Sequence, residues 1–305
     1  MKIMITGATS FVGNALVKEL LKFNNDIIAV VRPNSKKADL LPECVTKIEL
    51  EMNEYSYISK LSKCGIDALI HLAWDGTSKD GRNDAEVQKR NYENSKTIIN
   101  EAVKIGCKKI IAAGSQAEYG LYNCEIFEDF TCKPVTYYGK EKLNFYNYMR
   151  DFCNHLNINY IEARIFSIYG LGDRENTLIN SLIKKMLLNE DCELTEGTQL
   201  WNYLYIEDAV RAIRFLLEKN CDSGVYNLGS YDTRQLKGFI EDIKMLTKSE
   251  SKLLFGKIPY SNTGCVSINP NINKIVKETG WKPQVSFKDG ITYLINHFAL
   301  EEGLL

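Results

Sequence analysis

The chain has 305 residues, enough for one large domain or for a large domain with a smaller lobe. Apolar content of 45% and charged content of 25% suit a soluble globular protein, and a net charge of −1 with no basic run argues against nucleic acid as a partner. No segment approaches the roughly 18 uninterrupted apolar residues of a membrane span, because Thr6, Gly7 and Thr9 interrupt the first apolar run.

The chain opens with KIMIT (2–6), which reads as a strand, followed by a glycine turn and an amphipathic helix, FVGNALVKELLKF. Ser10 stands between Gly7 and Gly13, at the middle glycine of a G-x-x-G-x-x-G pattern. In such a loop the glycines let the backbone approach a pyrophosphate, whose charge rests on the helix N-terminus. Gly7, Thr9, Ser10, Phe11, Val12 and Gly13 are therefore the candidate cofactor cradle. Serine is small, and its hydroxyl can cap the helix or bind a phosphate. A plain strand–turn–helix without a ligand fits the same residues.

The next strand, DIIAVV (26–31), ends in RPNSKK. NAD-binding folds usually place an Asp or Glu about 20 residues after the glycine loop. This chain has Arg32 there, then Ser35, Lys36 and Lys37, and no carboxylate. A guanidinium suits the extra phosphate of NADP, so NADP(H) is favoured and NAD(H) remains possible; a solvated basic loop is the plainer alternative.

Strands follow at VTKIEL (45–50), DALIHLA (67–73) and KKIIAAGS (108–115), the last two separated by the helical pattern DAEVQKRNYENSKTIINEAVKIG. Trp74 follows a strand end, where it either lines a substrate cleft or simply packs. Ser115 ends a strand at the sheet's carboxyl edge and can donate a hydrogen bond to a carbonyl as charge develops there, although it also fits an ordinary loop serine. In TYYGKEKL, residues four apart share a helix face, which pairs Tyr137 with Glu141 and Tyr138 with Lys142. An ammonium beside a phenol favours the phenolate, so Tyr138 can work as a general acid or base, and Lys142 can also hold a cofactor ribose. An ordinary surface helix turn has the same spacing.

A strand at INYIEARIF (158–166) is followed by a helical pattern near 176–189, a strand-then-helix LYIEDAVRAIRFLLE (204–218), GVYNLGS and two further helical patterns. Strand–helix alternation with near-continuously apolar strands predicts an α/β fold, a Rossmann-type doubly wound parallel sheet with a smaller C-terminal α/β substrate lobe. The cofactor domain is expected over 1–165, with 200–226 returning to it, and the substrate lobe over 166–199 and 227–305. The nine cysteines are scattered and never spaced as C-x-x-C, so they read as reduced cytosolic thiols, all buried as small apolar residues. His155 and His297 read as structural, His71 sits at a strand end, and no cluster suggests a metal.

Several motifs in order resemble the extended short-chain dehydrogenase/reductase family, in its NAD-dependent epimerase/dehydratase group that modifies nucleotide sugars. TGATSFVG stands for TGA-x-G-x-x-G, HLAW (71–74) for HLAA, and Asn91 for the helix asparagine. Ser115 lies four residues before Tyr119-Gly120, as the family's catalytic Ser/Thr does, and Tyr138/Lys142 match Y-x-x-x-K. ARIFSIYGLGD (163–173), YLYIEDAV and GWKP (280–283) resemble three later motifs. The resemblance makes Ser10 a tolerated variation in a cofactor loop, adds Leu72, Ala73 and Asn91 to the cofactor site, and implies Ser115, Tyr138 and Lys142 as the catalytic set.

Within that family, 4,6-dehydratases carry an acidic pair directly after the catalytic Thr. Gln116 and Ala117 stand there and do no acid–base work, so dehydration is disfavoured. A 4-epimerase keeps its NAD; a reductase spends exchangeable NADPH. Arg32 and the resemblance of GSQAEYG to 4-keto-6-deoxysugar reductases, enzymes of surface-polysaccharide sugar biosynthesis, favour the reductase, with the epimerase second and a non-catalytic dinucleotide sensor a distant third. QLWNYLY puts Trp201 where many relatives have a phosphate-binding arginine, IPYSN near 260 lacks a second arginine, and Ser167 replaces the Asn of R-x-x-N. Trp201 either stacks on a base or sugar or packs in the core. Arg174 and Arg234 are the candidates for the missing charge, and Trp74, Gln116 and Ser167 complete the candidate substrate site. The resemblance also implies a cytoplasmic homodimer paired through the helical patterns at 82–105 and 137–155.

Overall fold

The apolar runs of the first half can be apolar on every residue because both of their faces are covered. The computed structural model, which describes residues 1–62, 65–78, 80–260 and 266–301, joins them in one seven-stranded parallel sheet. Its strands are β1 (Lys2–Thr6), β2 (Asp26–Val31), β3 (Thr46–Glu49), β4 (Ala68–His71), β5 (Lys109–Ser115), β6 (Asn159–Ile165) and β7 (Gly224–Leu228). Their order is β7-β6-β5-β4-β1-β2-β3. Alternate residues serve opposite faces: Ile3 and Ile5 of β1 lie in one core, and Met4 lies in the other.

The first core is closed by α1 (Phe11–Leu21) and the second by α2 (Ala85–Lys104) and α3 (Tyr137–Leu156). The chain then leaves the sheet through α4 (Leu178–Leu187), returns with α5 (Ile206–Glu218) packed on α1, and adds β7 beside β6. Beyond it, α6 (Leu236–Thr247) and α8 (Phe287–Glu301) pack against α4 and each other, while α7 (Asn273–Thr279) touches β7 and α5. β1 lies between β2 and β4, so the chain order reverses beside it. The carboxyl ends of β1 and β4 therefore frame the crevice where such sheets take ligands.

Two of the quoted motifs meet as structure rather than chemistry. The buried Asp208 carboxylate, at the start of α5, accepts the N–H groups of Gln284 and Val285 at 2.8 Å each. The Trp281 indole donates to the Asp208 carbonyl at 3.1 Å. YIEDAV and GWKP thus tie the C-terminal segment to α5.

Two expectations are corrected here. The helix expected from residue 82 starts at Ala85, because the Asp84 carboxylate accepts the N–H groups of Glu86 and Val87 and caps it there. Residues 81–83 form a separate turn. The cysteines are not all buried: Cys44 and Cys124 are exposed and Cys132 is half-buried, since their segments lie outside the sheet's two cores. His155 and His297 are exposed on α3 and α8. Among the described residues no helix is long and apolar enough to cross a membrane.

Candidate active site

The glycines at the end of β1 are required by contact. Gly7 has φ +69°, and a Cβ there would lie 2.8 Å from the Ala73 nitrogen. A Cβ on Gly13 would lie 2.1 Å from the Gly7 carbonyl oxygen. The loop can therefore turn tightly into α1 while resting on Leu72 and Ala73 at the end of β4. Ser10 is the helix cap: its Oγ accepts the Gly13 N–H at 3.0 Å. The N–H groups of Phe11 and Val12, beside Thr9 at the helix's positive end, have no intrahelical acceptor. A cradle without room for Cβ atoms, ending in free N–H groups, fits a dinucleotide's diphosphate.

Behind this loop runs a chain of polar contacts with one consistent direction. Ser95 of α2 donates its hydroxyl to the Asn91 carbonyl at 2.6 Å, so it accepts from His71 Nε2 at 2.8 Å. His71 Nδ1 then accepts the Thr6 hydroxyl at 2.7 Å, and Thr6 Oγ1 accepts the Ala73 N–H at 3.3 Å. Burial, with the charge of Lys142 adding to it, pulls the His71 pKa down to about 3. His71 is a neutral pin joining β1, β4 and α2.

After β4 the wall of the crevice is tied to α2. Asn91, expected beside the cofactor, spends its amide on the backbone of Asp75, accepting its N–H at 3.0 Å and donating to its carbonyl at 2.9 Å. Gln88, fully buried, accepts the Trp74 indole N–H at 2.7 Å and donates to the carbonyls of Gly76 at 3.0 Å and Gly81 at 2.8 Å. Nothing in the sequence distinguishes Gln88 from the other polar residues of an amphipathic helix.

Ser115 and Tyr138 come together because α3 sits directly on the turn after β5. A Cβ on Gly139 would lie 2.4 Å from the Ala117 carbonyl oxygen, and Thr136 caps the helix by accepting the Gly139 N–H at 3.1 Å. Ser115 Oγ accepts the Ala117 N–H at 3.2 Å, and the Glu118 carboxylate accepts the Ser115 N–H at 2.6 Å. Burial pushes the Tyr138 pKa up; Arg82 and the Ser115 hydroxyl pull it back, while Glu118 adds to the rise.

Lys142 reaches from α3 to β5 and to Trp74 beyond the end of β4. Its Nζ donates to the Ala113 carbonyl at 2.6 Å and lies 3.9 Å from the centre of the Trp74 ring. Burial lowers its pKa to about 8, against the opposing charges of Glu118 and Glu162. The guanidinium facing the Tyr138 ring is that of Arg82, with its Cζ 5.0 Å from the ring centre. A single basic residue in a loop gave the sequence no signal for this. Beneath them, Arg164 is sealed between two carboxylates, at 2.8 Å from Glu162 and 3.1 Å from Glu118.

The remaining candidates are dispersed. Gln116 is half-buried at the first position of the turn after Ser115, and Ser167 is half-buried past β6, its carbonyl accepting the Leu204 N–H at 2.8 Å. Arg32 is exposed at the end of β2. Lys37 lines a cleft of about 720 Å³ together with Thr9, Ser10 and Phe11. Arg174 is exposed on the turn after Gly172. Arg234 does not supply free charge: it donates to Asp232 at 3.2 Å and Asp242 at 2.6 Å, which neutralise it. Trp201, opposite Arg234 in a short antiparallel pair, packs against the cluster of Tyr119, Phe166 and Ile268. Its indole N–H is buried without an acceptor among the described residues. Ser261 and Asn262 of IPYSN lie outside the described residues.

The model of the NAD-dependent epimerase/dehydratase family matches residues 3–229. The chain is 26% identical to the CDP-abequose synthase of Salmonella muenchen, over 97% of each chain. It is 28% identical to the dTDP-4-dehydro-6-deoxyglucose reductase of Escherichia coli, over 96% of each. Among solved structures, UDP-glucose 4-epimerase from Thermotoga maritima with UDP-glucose superposes over the whole of both chains with a TM-score of 0.88 at 22% identity. The Thermus thermophilus UDP-glucose 4-epimerase with NAD gives 0.86 at 16% identity, over 98% of this chain and 99% of that one. At those identities the superpositions speak for the fold.

Proposed function

The chain belongs to the NAD-dependent epimerase/dehydratase family and is an NAD(P)-dependent enzyme of the extended short-chain dehydrogenase/reductase type; from that premise we propose that it reduces the C4 keto group of a nucleotide-linked 4-keto-6-deoxyhexose. The observation that carries this reading is the turn after β5. It sets Ser115 against Tyr138 and offers no free carboxylate: Gln116 and Ala117 follow Ser115, and Glu118 is sealed on Arg164. A site with a proton donor and a hydroxyl but no acid for elimination suits reduction better than dehydration. The Escherichia coli relative, named a reductase of a dTDP-linked keto sugar, supports the same class.

When bound, the nicotinamide would supply hydride to the keto carbon. The residues to hold such a cofactor are the Gly7–Gly13 loop for the diphosphate and Arg32 with Lys37 for a 2′-phosphate, which makes NADPH the favoured form. Lys142 is the residue proposed for the ribose, which its ammonium would reach by turning from the Ala113 carbonyl and the Trp74 face. Tyr138 holds a proton at its phenolic oxygen and passes it to the oxygen of the sugar as the C–H bond forms, and the Ser115 hydroxyl stabilises the charge on that oxygen. Gln116, Ser167, Trp74 and Trp201 are the proposed sugar and base contacts. The same reading carries a cytoplasmic homodimer paired through α2 and α3, which light scattering tests.

The test is loss of NADPH absorbance against a panel of nucleotide-linked 4-keto-6-deoxyhexoses, with NADH in parallel. Consumption with one member confirms the reading and names the substrate. No consumption, with NAD retained through purification, overturns it in favour of a 4-epimerase.

A further inference from the structure

The turn that carries Ser115 is held from below by side chains that a three-residue turn does not need. Glu118 closes it by accepting the Ser115 N–H at 2.6 Å, while Ser115 Oγ accepts the Ala117 N–H at 3.2 Å. An exposed glutamate would serve such a capping box equally well. Here Glu118 is fully buried, and Arg164 of β6, also buried, holds its other carboxylate oxygen at 3.1 Å. The strands leave room for this pair. Gly114 lies opposite Arg164 in the β5–β6 register, and a Cβ on it would come within 2.7 Å of the Glu162 Cγ and 2.9 Å of the Arg164 Cγ. Tyr119 covers the guanidinium, its ring centre 4.4 Å from Arg164 Cζ, and donates its hydroxyl to Asn227 of β7 at 2.7 Å. Apolar side chains would fill the same space without the desolvation that a buried carboxylate and guanidinium undergo. What the charged pair supplies instead is a fixed direction for one backbone N–H.

We propose that Glu118, clamped by Arg164, is a positioning residue for Ser115, holding its hydroxyl where it meets the reacting sugar oxygen. The inference deepens the reduction proposed above and rests on it. With one lone pair taken by the Ala117 N–H, Ser115 Oγ keeps its own proton to give to an oxygen that gains charge. That proton helps only where its direction is set before the substrate arrives. Two anchors set it: Glu118 on the serine backbone and the Ala117 N–H on its side chain. The second anchor is itself fixed, because Gly139 of α3 packs against the Ala117 carbonyl. Glu118 lies too deep to meet the sugar and acts through the serine.

The test is a double-mutant cycle in the full chain, read on keto-sugar reduction. Glu118→Leu lowers kcat by about 10–100-fold with KM changed by less than about threefold, and Glu118→Gln, which keeps an accepting oxygen, recovers most of the loss. In a Ser115→Ala background, where the hydroxyl is already gone, Glu118→Leu lowers kcat by less than about threefold. An equal loss in both backgrounds overturns the inference and leaves Glu118 as a support for the fold. A second readout needs no sugar and serves if Glu118→Leu fails to fold. The Ser115 amide proton of serine-labelled protein, assigned by its loss in Ser115→Ala, moves upfield in Glu118→Gln as its acceptor loses charge. An unmoved resonance overturns the clamp. The same coupling found on 4-epimerisation, in a protein that reduces no keto sugar, supports the inference and sinks the reductase reading alone.

Discussion

The Lys142 ammonium lies 3.9 Å from the centre of the Trp74 ring, sealed from solvent by the residue that follows HLA at the end of β4. The ring face offers it some attraction, worth about 0.5–2 kcal/mol, but burial costs a charged lysine more. Its pKa is accordingly lowered to about 8 from the ordinary 10.5.

That shift has a signed consequence for stability. Between pH 8 and 10.5 the unfolded chain binds a proton at Lys142 that the folded chain has released, so stability rises with pH across this window. Below pH 8 both states carry the charge and the folded state bears its full cost. Lys142→Met is therefore expected to be more stable than the wild type at pH 7 by roughly 1–3 kcal/mol, a gain that shrinks above pH 8. Urea melts at both pH values check this, alongside an expected loss of turnover.

His71 gives a dependence of the same sign in the acid range. Its pKa of about 3 lies below the ordinary 6.5, so only the unfolded chain takes up a proton between those values. Stability is lost as pH falls from 6.5 toward 3, by roughly 2–4 kcal/mol from this group. His71→Gln is expected to be less stable than the wild type at pH 7, because it breaks the run from Ser95 to Thr6, yet to show a flatter decline in acid. Equal slopes in denaturation midpoints from pH 7 to 4 would show that His71 is not the group responsible.

Tyr138→Phe removes the phenolic oxygen and little else from a ring that is already buried. Turnover is expected to fall about 10²–10⁴-fold while the dissociation constant for NADPH stays within about threefold. Stopped-assay turnover and fluorescence titration of the cofactor read the two separately. A variant retaining more than about a tenth of wild-type turnover would remove Tyr138 from the proton path.

The sequence showed the frame of this site more clearly than its charges. The sheet was legible because strands covered on both faces are apolar at every residue, and because contact leaves only glycine room at positions 7 and 13. Ser115 and Tyr138 were legible because each lies at an element's end, where short spacing sets the geometry. Arg82, Gln88 and the pairing of Arg234 were not, because each depends on a loop path or a partner from another element. The resting place of Lys142 was not legible for the same reason: helix spacing put it near Tyr138, but the Ala113 carbonyl and the Trp74 face, from β5 and the end of β4, hold its ammonium.

The buried trio under the site tests how its charge is held. Burial and the neighbouring Glu118 push the Glu162 pKa well up, while Arg164 stays charged between the pair. Glu162→Gln keeps the shape and an accepting oxygen for Arg164 and leaves it Glu118 as a partner, so it is expected to cost less than about 1.5 kcal/mol. Arg164→Met strips Glu118 of its cation and should cost about 3–5 kcal/mol, measured by urea denaturation at pH 7. Similar losses in the two variants would contradict this division of charge.

On the proposed reading, cofactor choice turns on the exposed end of β2. Arg32 stands where a carboxylate would receive a ribose hydroxyl, and Lys37 faces the same cleft as Thr9 and Ser10. A 2′-phosphate carries charge that these cations can neutralise, whereas an unphosphorylated ribose leaves them unpaired in solvent at little cost. Arg32→Asp should weaken NADPH by about 10–100-fold and change NADH by no more than about threefold in either direction, with Lys37→Ala following more weakly. Titration of both cofactors against each variant measures the ratio. Loss of both cofactors together would mean that Arg32 supports the loop, and an unchanged ratio would place the 2′-position elsewhere.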